Sequence, residues 1–283
     1  MASATVVATK DSFAVKLQRL SAGENALVGI AAGVIEVTLL QPILYWKNAA
    51  QQSLPFTLNP RLLYRGLITS IGNMAVLTGL QFPLAGACAK LITGGTAREM
   101  SGMETIGAAF AGGSLSGFAC GPMELVMIQQ QRFGGSLFMT PLRIVKDFGF
   151  FSMFRGLLPS CGREGLYTAG VLGMCPVFTK AIEERKLASG NASKLLAAIG
   201  AGIIAATLSH PLDTVKSCVQ GDLEQTNYKS QADTITKLLK EGGISRFFTG
   251  WAYRTGRMIL AVGIMNECKI QISPLLFPQH FKD

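Results

Sequence analysis

The chain has 283 residues, of which 49% are hydrophobic and 15% charged, with 32 glycines and a mean hydropathy of +0.35. That balance excludes an ordinary water-soluble enzyme, in which about a quarter of the residues are charged. The formal charge of +9 does not indicate nucleic acid, because the Lys and Arg residues are dispersed among apolar runs without an aromatic-basic recognition motif; basic loops beside an anionic membrane account for it.

In chain order, residues 1–20, MASATVVATKDSFAVKLQRL, combine Ala, Ser and basic residues without a long apolar core, so they are no secretory signal and have a mitochondrial-like composition. Residues 26–45, ALVGIAAGVIEVTLLQPILY, hold a single acid, Glu36, and residues 67–89 contain no charge at all; both are long enough to span a bilayer. Gly and Pro inside such segments suit closely packed transmembrane helices. Six cysteines without a C-x-x-C pair and two histidines, His210 and His280, indicate neither a disulfide framework nor a metal site. No nucleophile-base pair marks an enzyme, and nothing calls for a cofactor.

The strongest signal is internal repetition. QPILYWKNAAQ from Gln41, GPMELVMIQQQ from Gly121 and HPLDTVKSCVQ from His210 align without gaps. Pro42, Pro122 and Pro211 coincide, and so do Gln51, Gln131 and Gln220 after them and Gly33, Gly113 and Gly202 before them. Gly29, Ala109 and Ala198 stand four residues earlier still, which predicts a small-x-x-x-small packing face in each copy. LYRG, MFRG and FFTG then end at Gly66, Gly156 and Gly250, each opening another apolar run. The expectation is an all-α integral membrane protein with three-fold pseudosymmetry. Repeats 1–97, 98–190 and 191–283 would each supply a proline-kinked helix, a short polar connection and a second helix, giving six spans with both termini on one side.

Three copies of about 95 residues with a P-x-(D/E)-x-x-(K/R) pattern and an aromatic-basic-Gly landmark resemble the mitochondrial carrier family over nearly the whole chain. The resemblance implies a multi-pass protein of the mitochondrial inner membrane, with both termini toward the intermembrane space and a ring of interhelical ion pairs closing a central cavity toward the matrix. Carried over, Glu124 pairs with Lys216 and Asp213 with Lys47. The third pair is absent, because Leu44 and Met127 stand where an acid and a base are usual. Replacing both partners by apolar side chains is nearly neutral, whereas losing one would strand a charge. Gln51, Gln131 and Gln220 correspond to the family's glutamines that brace the closed gate. Gly66, Gly156 and Gly250 open helices whose free N–H groups suit a phosphate of cardiolipin, or serve as close packing at a helix start. The family's second gate has no clear copy in FPLAGACAK, MCPVFTK or MNECKIQ, where Glu267 is the one acid, out of register. The first connection is short, so its helix is expected to be truncated.

Polar cavity residues that break the three-fold pattern mark the site for a particular solute. Seven residues past the landmark glycines stand Asn73, Arg163 and Arg257; one further stand Met74, Glu164 and Met258. The family uses these positions to contact substrate, and an Arg-acid pair on the fourth helix resembles members that carry amino acids. Arg163 would hold a carboxylate and Glu164 an ammonium. Arg254 and Arg257, one turn apart, leave room for a second carboxylate; alternatively Glu164 neutralises arginines that bind a di- or keto-carboxylate. Glu36 stands where the other repeats have Ser116 and Ala205, either as a proton-coupling group or as a satisfied interhelical partner. The functional expectation is alternating-access transport of a small anionic or zwitterionic solute by a monomer, with no covalent chemistry. The rival is a non-transporting subunit of a larger membrane complex that keeps the same fold.

Overall fold

The structure, a computed structural model, describes residues 20–281 except 97 and 99. The amino-terminal stretch with mitochondrial-like composition lies outside the described residues. Six long helices dominate: α1 (Ala22–Gln51), α3 (Leu67–Ile92), α4 (Gly102–Phe133), α6 (Leu157–Glu184), α7 (Asn191–Gly221) and α9 (Trp251–Leu276). The connections carry α2 (Pro60–Leu63), α5 (Met139–Phe148) and α8 (Gln231–Arg246). No strand occurs among the described residues. The first connection is reduced to four helical residues against sixteen in α8, because Gly66 follows Pro42 much sooner than Gly250 follows Pro211.

Five of the long helices are apolar and long enough to cross a membrane. α4 falls short on composition because Gly and Ser dilute its middle, yet it occupies the place in repeat 2 that α1 and α7 hold in theirs. Each long helix packs on the next in chain order and α9 closes on α1, so the six form a ring. The polarity is inverted relative to a soluble protein. Leu39, Phe82 and Leu208 are exposed on the outside, whereas Lys47, Glu124, Asp213 and Lys216 are buried inside. That is the distribution expected when lipid is the solvent and polar groups face the bundle interior. His280 Nε2 lies 3.0 Å from Glu24 Oε1, which brings the two ends of the described chain together on one side of the ring.

Pro42, Pro122 and Pro211 all lie inside their helices, where each removes one hydrogen bond of the ladder and favours a bend. The residue before the proline ties this point to the start of the following long helix. Gln41 Nε2 donates to Arg65 O at 3.1 Å, and His210 Nε2 lies 3.1 Å from Thr249 O. Each acceptor immediately precedes a landmark glycine. Gly66, Gly156 and Gly250 are the N-caps of α3, α6 and α9, with φ of +77°, +75° and +85°. A Cβ there would be strained by the left-handed backbone. It would also meet the next proline helix, at 3.2 Å from Met127 O, 2.9 Å from Gln220 Cγ and 3.2 Å from Lys47 O respectively.

The expected small-residue face is only partly a close contact. A Cβ on Gly33, Gly113 or Gly202 would fall 2.3 Å from Met74 Cε, 2.5 Å from Thr168 Oγ1 or 2.8 Å from Met258 Sδ. At Gly29, four residues earlier, nothing lies within 4 Å, so in repeat 1 the face closes only at its second glycine. The tightest backbone approach is one that periodicity does not mark: a Cβ on Gly112 would sit 2.4 Å from Ala85 Cα and N. Backbone cannot rotate away as a methionine tip can. Gly112→Ala is therefore expected to destabilise the protein by about 1–3 kcal/mol through overpacking. Thermal unfolding in detergent beside Gly29→Ala, which should change little, checks this.

Candidate functional site

The ring encloses two adjoining cavities of about 340 Å³ and about 160 Å³. Both are bordered by Leu44, Lys47, Arg163, Glu164, Asp213 and Arg257. Their polar boundary at the level of the proline motifs is an ion-pair network. Lys47 Nζ on α1 donates to Asp213 Oδ2 on α7 at 2.7 Å, and Lys216 Nζ on α7 lies 3.2 Å from Glu124 Oε2 on α4. Leu44 and Met127 both line the smaller cavity, where the third pair would otherwise stand.

Arg163 joins this network, which repeat spacing does not reveal. Its Nη2 donates to both Glu124 Oε1 and Glu164 Oε1, and its Nε lies 3.6 Å from Asp213 Oδ1. Ser160 Oγ, one turn before it, donates to the other oxygen of Glu124 at 2.7 Å. α6 thereby supplies an ionic link toward α4 in a ring where α1 has Leu44. Glu164 does not stand free to receive an ammonium, as the sequence suggested, because its carboxylate already holds the Arg163 guanidinium.

The glutamines divide. Gln51 Nε2 donates to Asp213 Oδ2 at 2.9 Å and lies within 3.3 Å of Thr214 Oγ1, so it braces the Lys47–Asp213 pair. Gln131 instead accepts from Asn48 Nδ2 at 2.6 Å, and Gln220 Nε2 reaches Gly121 O at 3.4 Å. The expectation that all three bond to gate ions is thus corrected. Gln131 sits beside the apolar Leu44–Met127 level, which offers it no ion. Glu124 is held instead by Arg163, Ser160 and Lys216.

The remaining cavity residues surround the larger space. Arg257 Nη2 donates to Glu36 Oε1 at 2.8 Å, joining α9 to α1. Arg254 Nη2 donates to Ser209 Oγ at 2.7 Å, its guanidinium lies 5.8 Å from the Tyr167 ring centre, and its Nη1 is 3.7 Å from Asp213. Four buried polar atoms of these side chains have no hydrogen-bond partner: Arg163 Nε, Arg254 Nη1, Arg257 Nε and Asn73 Oδ1. These three donors and one acceptor, spread over the two adjoining cavities, lack hydrogen bonds that a polar occupant would supply, although Arg163 Nε and Arg254 Nη1 keep ionic contacts of 3.6 Å and 3.7 Å with Asp213. At the opposite end, Glu267 bonds Gln271 at 3.0 Å and Lys180 lies 3.8 Å from Glu184, so these side chains bond along their own helices.

The apolar level has a direct test. Leu44→Glu alone should destabilise the protein by about 3–5 kcal/mol, the usual cost of a buried unpaired charge, and Leu44→Glu with Met127→Lys should recover much of that loss. Thermal unfolding of the two variants decides it, and equal damage would show that the two positions are not neighbours.

A family model described as mitochondrial carrier protein matches residues 188–277. Among relatives, the chain is 33% identical over 131 residues to a tricarboxylate transport protein of Saccharomyces cerevisiae, covering 43% of this chain and 42% of that protein. It is 26% identical over 272 residues to mitochondrial citrate transporter A of Aspergillus niger, covering 88% and 91%. It is 30% identical over 167 residues to an electrogenic aspartate/glutamate antiporter of Mus musculus mitochondria, covering 55% and 24%.

Proposed function

Because this chain belongs to the mitochondrial carrier family, we propose that it moves a small carboxylate-bearing solute, an amino acid or a di- or keto-carboxylate, across the mitochondrial inner membrane by alternating access. The observation that carries the reading is the set of groups without a hydrogen bond on the two adjoining cavities: three guanidinium N–H donors and the Asn73 carbonyl. Guanidinium donors suit carboxylate oxygens, and the Asn73 oxygen suits an ammonium or hydroxyl hydrogen. In this reading Asn73 takes the place first given to Glu164 as partner of a solute donor. Relatives named for tricarboxylate and for aspartate/glutamate fall in the same chemical class.

The three repeats, 1–97, 98–190 and 191–283, act as rocking units around this site. The network of Lys47, Glu124, Asp213 and Lys216, with the Leu44–Met127 contact, is the matrix gate, and Pro42, Pro122 and Pro211 provide the bends that close it. The connections then face the matrix and both termini the intermembrane space. Phosphates of cardiolipin sit at Gly66, Gly156 and Gly250, and a monomer performs the whole cycle without covalent chemistry. The Leu44–Met127 level and the short first connection favour the rival reading of a non-transporting subunit. Against it stand Arg163, Arg254 and Arg257, partly covered cations converging on one cavity wall at membrane depth, where charge is costly to keep.

The test is a thermal-stability screen of the purified protein against amino acids and mono-, di- and tricarboxylates. A true solute stabilises by about 2.7 kcal/mol at a hundred times its dissociation constant. A panel in which nothing stabilises the protein, and nothing enters reconstituted vesicles, would remove the transport reading.

A further inference from the structure

We propose that Glu36 is an internal stand-in for the solute's carboxylate: it gives up Arg257 to that carboxylate and takes up a proton as it does so, so one proton travels with each solute. This rests on the carboxylate-transport reading above and adds the coupling ion.

The argument begins with position. Glu36 lies on the cavity wall at a point where the other repeats carry Ser116 and Ala205, so the three-fold frame does not need a carboxylate there. It is 6% exposed, and its ion pair is with Arg257 at 2.8 Å. The other cavity carboxylates are held more firmly. Glu124 is shared by Arg163, Lys216 and Ser160. Asp213 is held by Lys47 and Gln51, with three further cations within 4 Å. Glu164 is 2% exposed and locked to Arg163. Arg257 is also the most accessible of the cavity cations in these pairs, with 29% of its side chain exposed against 12% for Arg163 and Arg254. Its Nε still lacks an acceptor. An incoming carboxylate therefore meets Arg257 first and can satisfy it through two parallel bonds where Glu36 makes one.

The other cations facing a displaced Glu36 are each already within ion-pair distance of another carboxylate, Lys47 and Arg254 of Asp213 and Arg163 of Glu124, Glu164 and Asp213. From α3 the wall presents Met74 and Leu77, without a titratable group. From α6 it presents Arg163, already engaged by Glu124 and Glu164, beside Glu164 itself and Tyr167. From α7 comes Asp213, a like charge, and on α1 Lys47 is committed to it. From α9, Arg254 leans on Ser209, with Tyr253 and the apolar Met258 around it. A bare carboxylate against this wall is costly, and it becomes neutral by taking a proton. The step balances. The solute carboxylate replaces the Glu36 carboxylate on Arg257, one O–H bond forms on Glu36 with a proton from the water in the cavity, and release of the solute reverses both. For each carboxylate that binds, the charge of the cavity is unchanged.

Vesicles containing the protein and free of internal solute would be offered labelled L-glutamate, L-aspartate, citrate and malate, with and without an alkaline-inside pH gradient, so that uptake is net and each solute brings its proton inward. The expected result is accumulation that rises about tenfold per unit of gradient for at least one probe, and collapses when nigericin abolishes the gradient. Glu36→Gln should lose this response to the gradient, because an amide cannot carry the proton. If wild type takes up a probe but ignores the gradient, or Glu36→Gln still responds, the inference is overturned while the transport reading stands. If no probe enters at all, both fall. Should Glu36→Gln fail to fold, calorimetry of wild type with the active probe in buffers of different ionisation enthalpy settles the matter: uptake of about one proton per solute bound is expected from this exchange, and none overturns it.

Discussion

Arg163→Ala is expected to abolish uptake of every carboxylate, a loss on the order of a hundredfold or more, and also to destabilise the protein. Repeat symmetry alone suggests an arginine that serves the solute. The structure changes that expectation, because Arg163 joins Glu124 to Glu164 and approaches Asp213. Its removal leaves buried carboxylates short of a cation, at a cost of about 3–5 kcal/mol. Arg163→Lys should fail nearly as badly in transport, since an ammonium lacks the planar paired donors that a solute carboxylate would use and the Nε that faces Asp213. The two roles separate in the double variant Arg163→Met, Glu164→Leu, which removes a charge of each sign together. It should regain much of the thermal stability and none of the uptake. If it transports, Arg163 is a structural strut and the solute is held elsewhere.

Under the transport reading proposed above, the same geometry would link binding to opening. A solute carboxylate that drew Arg163 away would leave Glu124 to Lys216 and Ser160 alone, so occupancy of the cavity would weaken its closed end. A ligand shifts such an equilibrium only through its different affinity for the two states, and competition for one guanidinium supplies that difference.

What could be read from the sequence is what repetition preserves. The proline helices and the glycines that open the following helices follow from aligning three segments, and the Lys47–Asp213 and Lys216–Glu124 pairs from the resemblance those segments carry, in which each acid meets the base of the next repeat. The Arg163–Glu124 contact was hidden because it joins a symmetric position to an asymmetric one, and its length depends on where a long side chain turns. The glutamines show the same limit. Gln131 and Gln220 align with Gln51, yet Gln131 bonds Asn48 and Gln220 bonds the Gly121 carbonyl, partners that alignment does not name. The link from the residue before proline to the carbonyl before the landmark glycine was legible in principle, since Gln41, Gly121 and His210 align, but a Gly in the middle copy conceals a side-chain role. Gly112 escaped for another reason: its contact is with the backbone of Ala85, which side-chain periodicity does not report.

Reversing the Lys47–Asp213 pair is expected to separate the gate from the fold. Asp213→Lys alone places a fifth cation among Lys47, Lys216, Arg163 and Arg254, each of which lies within 4 Å of the carboxylate it removes. That variant should be the most damaging single change in the cavity, costing at least the about 3–5 kcal/mol of a broken buried pair. Lys47→Asp alone should be milder. It puts a second acid beside Asp213, but Arg254, Arg163 and Lys216 remain within 4 Å and absorb part of the charge. Combining the two restores one acid and one base across the same α1–α7 contact. If the positions act as a pair, the double variant should be more stable than Asp213→Lys and should recover part of its lost uptake, with a coupling energy of about 0.5–3 kcal/mol. Full recovery is not expected, because Gln51 donates to an acid on α7 and would face an ammonium there instead. The discriminating control is Gln51→Glu added to the reversed pair, since a carboxylate in place of the Gln51 amide could accept from the ammonium introduced on α7. Further recovery on adding it would place Gln51 with the pair, whereas a strictly additive loss across all three substitutions would mean that the positions do not act as a unit and that closure happens elsewhere.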